Sequence, residues 1–322
     1  MTGKGGVGKT TVAAALASAA AARGLRTIVA EVSARDDAAR QLGADTGDRP
    51  VRVFEEREVA PGLHHISVDP EHAMQEYLVD QMPVKALADA LVSSRLFSYL
   101  AAATPGLREL LTVGKLWELA QPDRRTPGAR PYDLVIVDAP ATGHGLALLA
   151  APRTFAQAAR VGPIARQGRT IDQMLSDPSR TGVLAVTTAE ETPVSETLLL
   201  RDALLSQAGL DLDAVIVNQL LRTTLTGAET TAVETALARV PAAVAGGGDR
   251  RATAPHRSAA LHAARAHQNR ARHQRAQLAR LRRGLAVPAG SAGRPAPTVA
   301  SLPALAGTAD LVPALVRRLA AR

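Results

Sequence analysis

The sequence contains no cysteine and very few aromatic residues. Among its 322 residues there is no thiol, which excludes disulfides, zinc sites built on cysteine and cysteine-bound metalloids within this chain. Aromatic residues make up 2% of the total, which disfavours a stacking platform for single-stranded nucleic acid. No apolar run approaches the roughly 20 residues that cross a bilayer. These absences suit a cytoplasmic protein, which is the location we expect.

Positive charge is concentrated in one segment near the C-terminus. The net charge is +8, and residues 250–294 contain eleven arginines and neither Asp nor Glu. Removing these eleven charges from the total leaves −3 for the rest of the chain. The basicity is therefore local. We expect a basic helix at Arg257–Arg283, within a segment of helix and linker that spans residues 250–297.

The first residues of the chain form a complete phosphate-binding loop pattern. Residues 3–10 read Gly-x-x-x-x-Gly-Lys-Thr, with a further lysine at Lys4. The glycines let backbone N–H groups turn towards phosphate oxygens, Lys9 can reach the β- and γ-phosphates, and the Thr10 hydroxyl can hold Mg²⁺. The alanine-rich run that begins at Thr11 predicts a helix whose positive end faces the anion. We predict a nucleotide site formed by Gly3, Lys4, Gly5, Gly6, Val7, Gly8, Lys9, Thr10 and Thr11.

The position of this loop at the start of the sequence is unusual. A phosphate-binding loop normally follows a buried strand, and only two residues precede this one. We therefore expect Met1 to be a misassigned start, with a strand of about five to eight residues encoded upstream.

Apolar runs alternate with helical patterns along the chain. The clearest run, Tyr132–Asp138, is apolar without interruption, which predicts a strand buried on both faces. Strands that alternate with helices predict a doubly wound α/β fold with a mainly parallel sheet. We expect a single domain over residues 1–322, with its first strand truncated and a helical insertion at 70–128. The other predicted strands are 26–32, 51–54, 64–68, 182–187, 214–218 and 298–302.

Asp138 stands where the apolar strand ends, which is the place of a Walker B aspartate. A carboxylate there can hold a Mg²⁺-bound water while the strand keeps it rigid. The glycines of residues 139–145 are typical of a loop that moves with the γ-phosphate. Capping of the next helix is the alternative role for Asp138. His144 could contact phosphate or a partner subunit, and an ordinary loop histidine explains it equally well.

These motifs together resemble the ArsA family of P-loop ATPases. Lys4 with Lys9 is similar to the deviant Walker A group of dimeric ATPases. The segment 138–144, Asp-Ala-Pro-Ala-Thr-Gly-His, resembles the family signature Asp-Thr-Ala-Pro-Thr-Gly-His. The family contains bacterial arsenite-pump ATPases and the ATPases that target tail-anchored membrane proteins. The resemblance covers nearly the whole chain and is weakest at 223–297; further matches lie at 69–77, 105–110, 189–197 and 215–219.

The resemblance implies a Mg²⁺-dependent ATP hydrolase that works as a nucleotide-gated dimer. It implies that Lys9 holds phosphates, that Thr10 and Asp138 hold Mg²⁺, and that these groups serve catalysis. Lys4 would reach across a dimer interface to the nucleotide of the partner, where it would stabilise the transition state.

Two residues later in the chain complete the implied site. Asn218 would read adenine through its side-chain amide, although an asparagine at a strand end is also a common turn former. Pro303 resembles the residue of the loop that packs against adenine.

The sequence departs from the family pattern in three ways. Aligned on Leu42-Gly43, the water-orienting aspartate of the family is replaced by Ser33, and a hydroxyl is a poor substitute for a carboxylate. Asp36 or Asp37 could take its place, or hydrolysis is slow. The metal-binding cysteines of the family are absent, so arsenite transport through thiolates is not expected. Only one ATPase half is present, whereas fused arsenite pumps have two.

Three functions are consistent with the sequence. The first is an ATPase, as a homodimer or a heterodimer with a paralogue, that couples its nucleotide state to a protein client or a membrane. The second is a non-hydrolysing nucleotide-binding subunit that pairs with an active paralogue. The third, a DNA- or membrane-positioning protein, is disfavoured by the 138–144 signature.

The basic segment has a functional and a neutral interpretation. Arg257–Arg283 could contact an anionic membrane surface or an acidic protein, and a solvated helix explains it equally well. Nucleic acid is disfavoured because no reader motif is present. The helical segment 71–119 corresponds to the client-binding part of the targeting ATPases, although core packing explains the same apolar residues.

Overall fold

The computed structural model describes most of the chain, namely residues 1–44, 51–81, 106–126, 128–158, 162–222, 226–239, 250–286, 295–305 and 311–320. The described strands are β1 (Thr27–Glu31), β2 (Arg57–Ala60), β3 (Leu63–Ser67), β4 (Leu134–Asp138), β5 (Leu184–Thr188), β6 (Ala214–Leu220) and β7 (Thr298–Pro303). The described helices are α1 (Lys9–Ala21), α2 (Asp37–Gln41), α3 (Pro70–Gln81), α4 (Leu107–Leu119), α5 (Thr142–Ala158), α6 (Pro163–Ser176), α7 (Glu191–Ala203), α8 (Gly227–Arg239), α9 (Arg250–Ala286) and α10 (Leu311–Ala320). Within these ranges no helix is both long and apolar enough to cross a bilayer.

The strands form two sheets that meet at the first two residues of the chain. One sheet has the order β2-β3-β1-β4 and the other β5-β6-β7. All neighbouring strands are parallel except β2 and β3. Between β4 and β5, the Met1 nitrogen donates to the Val137 carbonyl at 2.6 Å, and the Thr2 N–H donates to the Leu184 carbonyl at 2.8 Å. The expected mainly parallel α/β fold is confirmed.

The surroundings of β4 differ from the sequence prediction. Its continuous apolar run predicts burial on both faces, yet Leu134 is 36% exposed, and Val135 and Val137 are half-buried. Among the described residues, only Met1 pairs with the edge of β4 that faces β5, while Thr2 pairs with β5 itself. The prediction that β4 is fully buried is therefore wrong, because only its C-terminal end, at Val137, has a backbone neighbour on that side.

The prediction of a strand at 51–54 is also wrong. Val53 forms a single bridge to Ser67, and the regular strand is β2, four residues further along the chain. This strand lies at the edge of its sheet and its residues are half-buried or exposed. Because an edge strand with one solvent-exposed face carries few apolar residues, the sequence pattern does not reveal β2.

Helix α1 covers the junction of the two sheets. Its residues Ala13 and Ala17 pack with Val29 and Ile136 of the first sheet. Three further buried residues pack against the second sheet and α10 in one cluster: Val12, Ala14 and Ala15 with Val186, Ile216, Leu302, Val312 and Leu315. Alanine allows a helix to approach a sheet closely, so α1 and the loop before it are held firmly in place.

The helical insertion is described in part. Residues 82–105 and 127 lie outside the described ranges, and the predicted boundaries 70–128 stay a prediction. The described helices α3 and α4 are joined by Lys115, whose ammonium lies 2.6 Å from Glu76 and 3.4 Å from Glu118. Arg124 links Glu118 to Glu56 at 2.8 and 2.6 Å. These ion pairs connect the helices to the segment before β2.

A buried ion pair attaches the C-terminal end of α9 to α7. The Arg201 guanidinium donates to both carboxylate oxygens of Asp211, at 2.8 and 3.1 Å, and to the Leu285 carbonyl at 2.9 Å. Arg201 and Asp211 are both buried. Removing one partner of such a pair leaves an uncompensated charge in the interior.

We expect Arg201→Met to lower the free energy of unfolding by about 3–5 kcal/mol, because Asp211 then stays buried without its cation. Urea denaturation measures this loss. The double variant Arg201→Met/Asp211→Asn should recover part of it. Arg40→Met, which breaks the exposed pair between Arg40 and Asp37, is the control and should cost less than about 1 kcal/mol. Equal losses for the two single variants would contradict this account.

Candidate functional site

The loop before α1 is shaped by glycines at two close contacts. Gly3 has φ +137°, and a Cβ at this position would collide with the Val186 carbonyl. Gly8 has φ +89°, and a Cβ there would lie 2.5 Å from the side-chain nitrogen of Asn218. Val7 is buried, while Gly5 and Gly6 between these anchors are exposed. The loop is thus held at both ends and open in the middle, where backbone N–H groups can meet an anion.

The side chain of Lys9 reaches back to the start of this loop. Its ammonium donates to the carbonyls of Gly3 and Lys4, each at 3.0 Å. Burial lowers the pKa of Lys9, and the carboxylate of Asp138 partly offsets that effect. A half-buried ammonium held by two neutral carbonyls can exchange them for phosphate oxygens with a gain in electrostatic energy.

Asp138 and Thr10 meet beneath the loop. The Thr10 hydroxyl donates to Oδ2 of Asp138 at 2.6 Å, and Oδ1 of Asp138 is buried without a hydrogen-bond partner. Burial raises the pKa of Asp138, while the hydrogen bond from Thr10 and the buried amino group of Met1 act against this shift. An unpartnered buried carboxylate oxygen beside a hydroxyl fits a hard cation such as Mg²⁺. The sequence-predicted pair of metal ligands is therefore brought together.

The site offers a metal few protein ligands. The described residues contain no group of three or more His, Asp or Glu side chains that could hold a metal ion. Mg²⁺ commonly takes one or two protein ligands and completes its shell with water and substrate phosphates. Thr10 and Asp138 match that donor set.

The residues after β1 do not provide a free carboxylate at the position of Ser33. Asp36 is buried, and its Oδ1 accepts from Arg57 at 2.8 Å and from Ser67 at 3.3 Å. Asp37 pairs with Arg40 on the surface. Both alternatives to Ser33 that the sequence suggests are thus already engaged in other contacts.

Glu31 is a carboxylate that the sequence analysis missed. It ends β1 as the register partner of Asp138, so the two side chains lie on the same face of the sheet. It is buried, and its Oε2 accepts from the Ala38 N–H at 3.0 Å and lies 3.3 Å from Nε2 of His65. The available signal was a charged residue at the end of an apolar run, the same signal that identified Asp138.

Asn218 supports the loop from the second sheet. Its Nδ2 donates to the Val7 carbonyl at 3.0 Å, and its Oδ1 accepts from the Gln219 N–H at 2.9 Å. Pro303 ends β7 and is half-buried beside Leu220 of β6. The structure thus brings Asn218 to the loop, with one amide hydrogen left for a ligand, and their contact with adenine stays a prediction.

Lys4 forms an ion pair with a residue of its own chain. Its ammonium lies 2.6 Å from the Glu196 carboxylate on α7, and both side chains are about one third exposed. Sequence analysis did not identify Glu196 as a site residue, because the contact joins positions 192 residues apart. His144, at the start of α5, is exposed.

This arrangement defines the class of the fold. A glycine loop leads into a helix, a lysine spans the loop, and a threonine meets the aspartate of an adjacent parallel strand. These are the parts of a P-loop nucleoside triphosphatase.

Comparison with known proteins identifies the family. Residues 1–167 and 158–235 match the family described as anion-transporting ATPase, ArsA_ATPase, and the chain belongs to this family. It is 32% identical over 225 residues to the ATPase BagA of Mycobacterium tuberculosis, which covers 68% of this chain and 64% of that protein. It is 29% identical over 276 residues to the arsenical pump-driving ATPase of Escherichia coli, covering 76% of this chain and 44% of that protein.

The resemblance inferred from the motifs is thus confirmed. The chain spans 64% of the length of the mycobacterial ATPases that it matches. The matched family segments end at residue 235, so helix α9 lies beyond them.

Proposed function

We propose that this protein binds ATP with Mg²⁺ and hydrolyses it, and that its nucleotide state controls a protein or membrane partner. The observation that carries the proposal is the contact between Thr10 and Asp138, with the second oxygen of Asp138 buried and unpartnered. The names of the relatives, which include ATPases and arsenical pump-driving ATPases, support the same activity.

The loop residues bind and orient the phosphates. Exposed Gly5 and Gly6 present backbone N–H groups to phosphate oxygens, and Lys9 moves its ammonium from the carbonyls of Gly3 and Lys4 to the β- and γ-phosphates. Asn218 and Pro303 would contact the adenine base. Thr10 and Asp138 would hold Mg²⁺, which when bound neutralises charge that develops on the transferred phosphoryl group.

Orientation of the attacking water is the weak point of this site. Ser33 stands where the family has an aspartate, and Asp36 and Asp37 are engaged elsewhere. Glu31 is the carboxylate beside Asp138, yet the Ala38 N–H and His65 hold one of its oxygens. We expect slow turnover for this reason.

A dimer follows from the role proposed for Lys4. In the single chain Lys4 is held by Glu196 in an ion pair whose side chains are about one third exposed, and such a pair contributes about 0–1 kcal/mol. Phosphates of a nucleotide in a second subunit carry more negative charge and can displace that carboxylate. Light scattering with and without ATP tests this step, and a monomer in both states would contradict it.

The second candidate function is a nucleotide-binding subunit that does not hydrolyse ATP. Ser33 and the engaged Asp36 favour it. Such a subunit would retain the complete loop and still require a paralogue for turnover.

We expect Ser33→Asp to increase phosphate release about tenfold or more, because a carboxylate at this position can accept a hydrogen bond from water. Steady-state phosphate release measures the change, and equilibrium binding of a fluorescent ATP analogue shows whether affinity stays constant. Lys9→Ala is the negative control and should weaken nucleotide binding about a hundredfold. Tight binding without turnover in both the natural protein and Ser33→Asp would favour the non-hydrolysing subunit.

A further inference from the structure

Helix α9 has two distinct faces. One face is buried against α7 and β6, and it approaches α7 so closely at Gly284 that a Cβ there would lie 2.7 Å from Leu198. The buried residues of this face are Ala271, Gln274, Leu278, Leu281 and Leu285. All of the large apolar residues among them are used in this packing, so the opposite face is left to polar and small residues.

Four exposed arginines lie to one side of this buried face, and we call them the arginine ridge: Arg272, Arg275, Arg282 and Arg283. At 3.6 residues per turn they fall within an arc of about 100° and extend over about 17 Å. None of them forms an ion pair with another described residue, and residues 250–286 contain no Asp or Glu. The ridge is thus a row of positive charges without internal counterions.

The chemistry of the ridge fits a surface of phosphates. Arginine binds phosphate through planar, paired N–H groups. The side chains between the arginines are those of Ala276 and Ala279, so the ridge can adsorb to a surface but has no large apolar residue to insert into it. No Phe, Tyr or Trp occurs in α9, which disfavours a stacking platform for single-stranded nucleic acid on this helix. A planar array of anionic lipid headgroups can meet all four arginines at once.

The buried face of α9 is connected to the nucleotide loop. Oε1 of Gln274 accepts from the Leu221 N–H at 2.8 Å, and its Nε2 lies 3.4 Å from the Gln219 carbonyl. Gln219 directly follows Asn218, whose amide donates to the carbonyl of Val7 in the loop. These hydrogen bonds form a continuous path from α9 through the end of β6 to the phosphate-binding loop.

We propose that the arginine ridge is a docking surface for membranes rich in anionic phospholipids, and that Gln274 couples docking to nucleotide binding. The docking surface stands independently, and the coupling rests on the function proposed above. Docking restrains α9 and the end of β6, so nucleotide binding orders less of the protein and becomes tighter. By reciprocity, the nucleotide tightens membrane binding by the same factor.

Vesicle flotation tests the docking surface. The probes are vesicles of phosphatidylcholine alone and vesicles containing about one third phosphatidylglycerol, at low and high salt. We expect salt-sensitive binding to the anionic vesicles only, weakened about a hundredfold by Arg272→Gln/Arg275→Gln/Arg283→Gln. Equal removal of charge at the exposed residues Arg166, Arg169 and Arg180 should change nothing. Equal weakening by both triple variants, or tighter binding to duplex DNA than to anionic vesicles, would overturn the proposal.

A second measurement tests the coupling. Anionic vesicles should tighten binding of a fluorescent ATP analogue about fivefold or more in the natural protein. Gln274→Met preserves side-chain volume and removes the hydrogen bonds to the end of β6, so we expect it to bind vesicles normally and lose this effect. Gln277→Met is the matched control and should keep the effect. An unchanged effect in Gln274→Met would overturn the coupling. Failure of the nucleotide to bind without vesicles would instead reject the proposed function, while flotation still decides the docking surface.

Discussion

Replacing Asp138 by Asn is expected to reduce Mg²⁺-dependent phosphate release by about a hundredfold or more, because a neutral amide cannot neutralise the metal that the carboxylate would hold. The amide keeps the size of the side chain and can still accept the hydrogen bond from Thr10. The expected loss is therefore one of charge, and nucleotide binding without Mg²⁺ should change little. Phosphate release at several Mg²⁺ concentrations measures it.

Asp37→Asn is the matched control, since Asp37 lies on the surface beside Arg40, and its turnover should equal that of the natural protein. A nearly normal rate for Asp138→Asn would show that this carboxylate does not serve the reaction.

The same variant should not lose stability in the absence of Mg²⁺. Burial raises the pKa of Asp138 above its usual 3.8, so the native state binds a proton more tightly than the unfolded chain. The favourable contribution of the protonated form is complete below pH 3.8 and is lost as the pH rises through the raised pKa. At neutral pH an ionised buried carboxylate opposes folding, and the amide removes this cost. Urea denaturation with a chelator should find Asp138→Asn at least as stable as the natural protein at pH 7.

Replacing Gly3 by Ala is expected to lower the free energy of unfolding by about 3 kcal/mol or more. The φ of +137° is strained for any residue with a Cβ, and that Cβ would collide with the Val186 carbonyl of β5. Because the obstacle is backbone, relief requires the loop or the strand to move. Nucleotide affinity should fall with stability, since the displaced loop no longer presents its N–H groups. Urea denaturation and titration with a nucleotide analogue measure the two effects.

Gly5 provides the control for this change. No atom lies within 4 Å of the place where its Cβ would be, and its side of the loop is open. Gly5→Ala should cost less than about 1 kcal/mol. Equal stability of the Gly3 and Gly5 variants would contradict the described approach of the loop to β5.

Local motifs carried most of what the sequence could predict. The loop at residues 3–10 and the strand-end Asp138 are each defined by neighbouring residues, and their meeting follows from a parallel sheet. The alternation of strands and helices likewise depends on short-range patterns, so the fold class could be predicted. The edge strand β2 was not predicted, because half-buried residues give little apolar periodicity.

Residues whose roles depend on distant partners could not be predicted. Asp36 looked available for water orientation, but its contact with Arg57 removes it, and no local pattern encodes that contact. Glu196 opposite Lys4 and Gln274 beneath β6 are similar cases. Glu31 could have been predicted from the sequence, since strand register alone brings it beside Asp138.

The junction between the two sheets bears on how the molecule would come apart. Met1 and Thr2 supply the backbone hydrogen bonds between β4 and β5, and α1 packs across the same line. Asp138 belongs to one half and Asn218 to the other, with the phosphate-binding loop between them. A nucleotide bound as proposed would contact both halves and would link them. Loss of the nucleotide would lower the cooperativity of unfolding, and the two halves would then unfold locally as separate units.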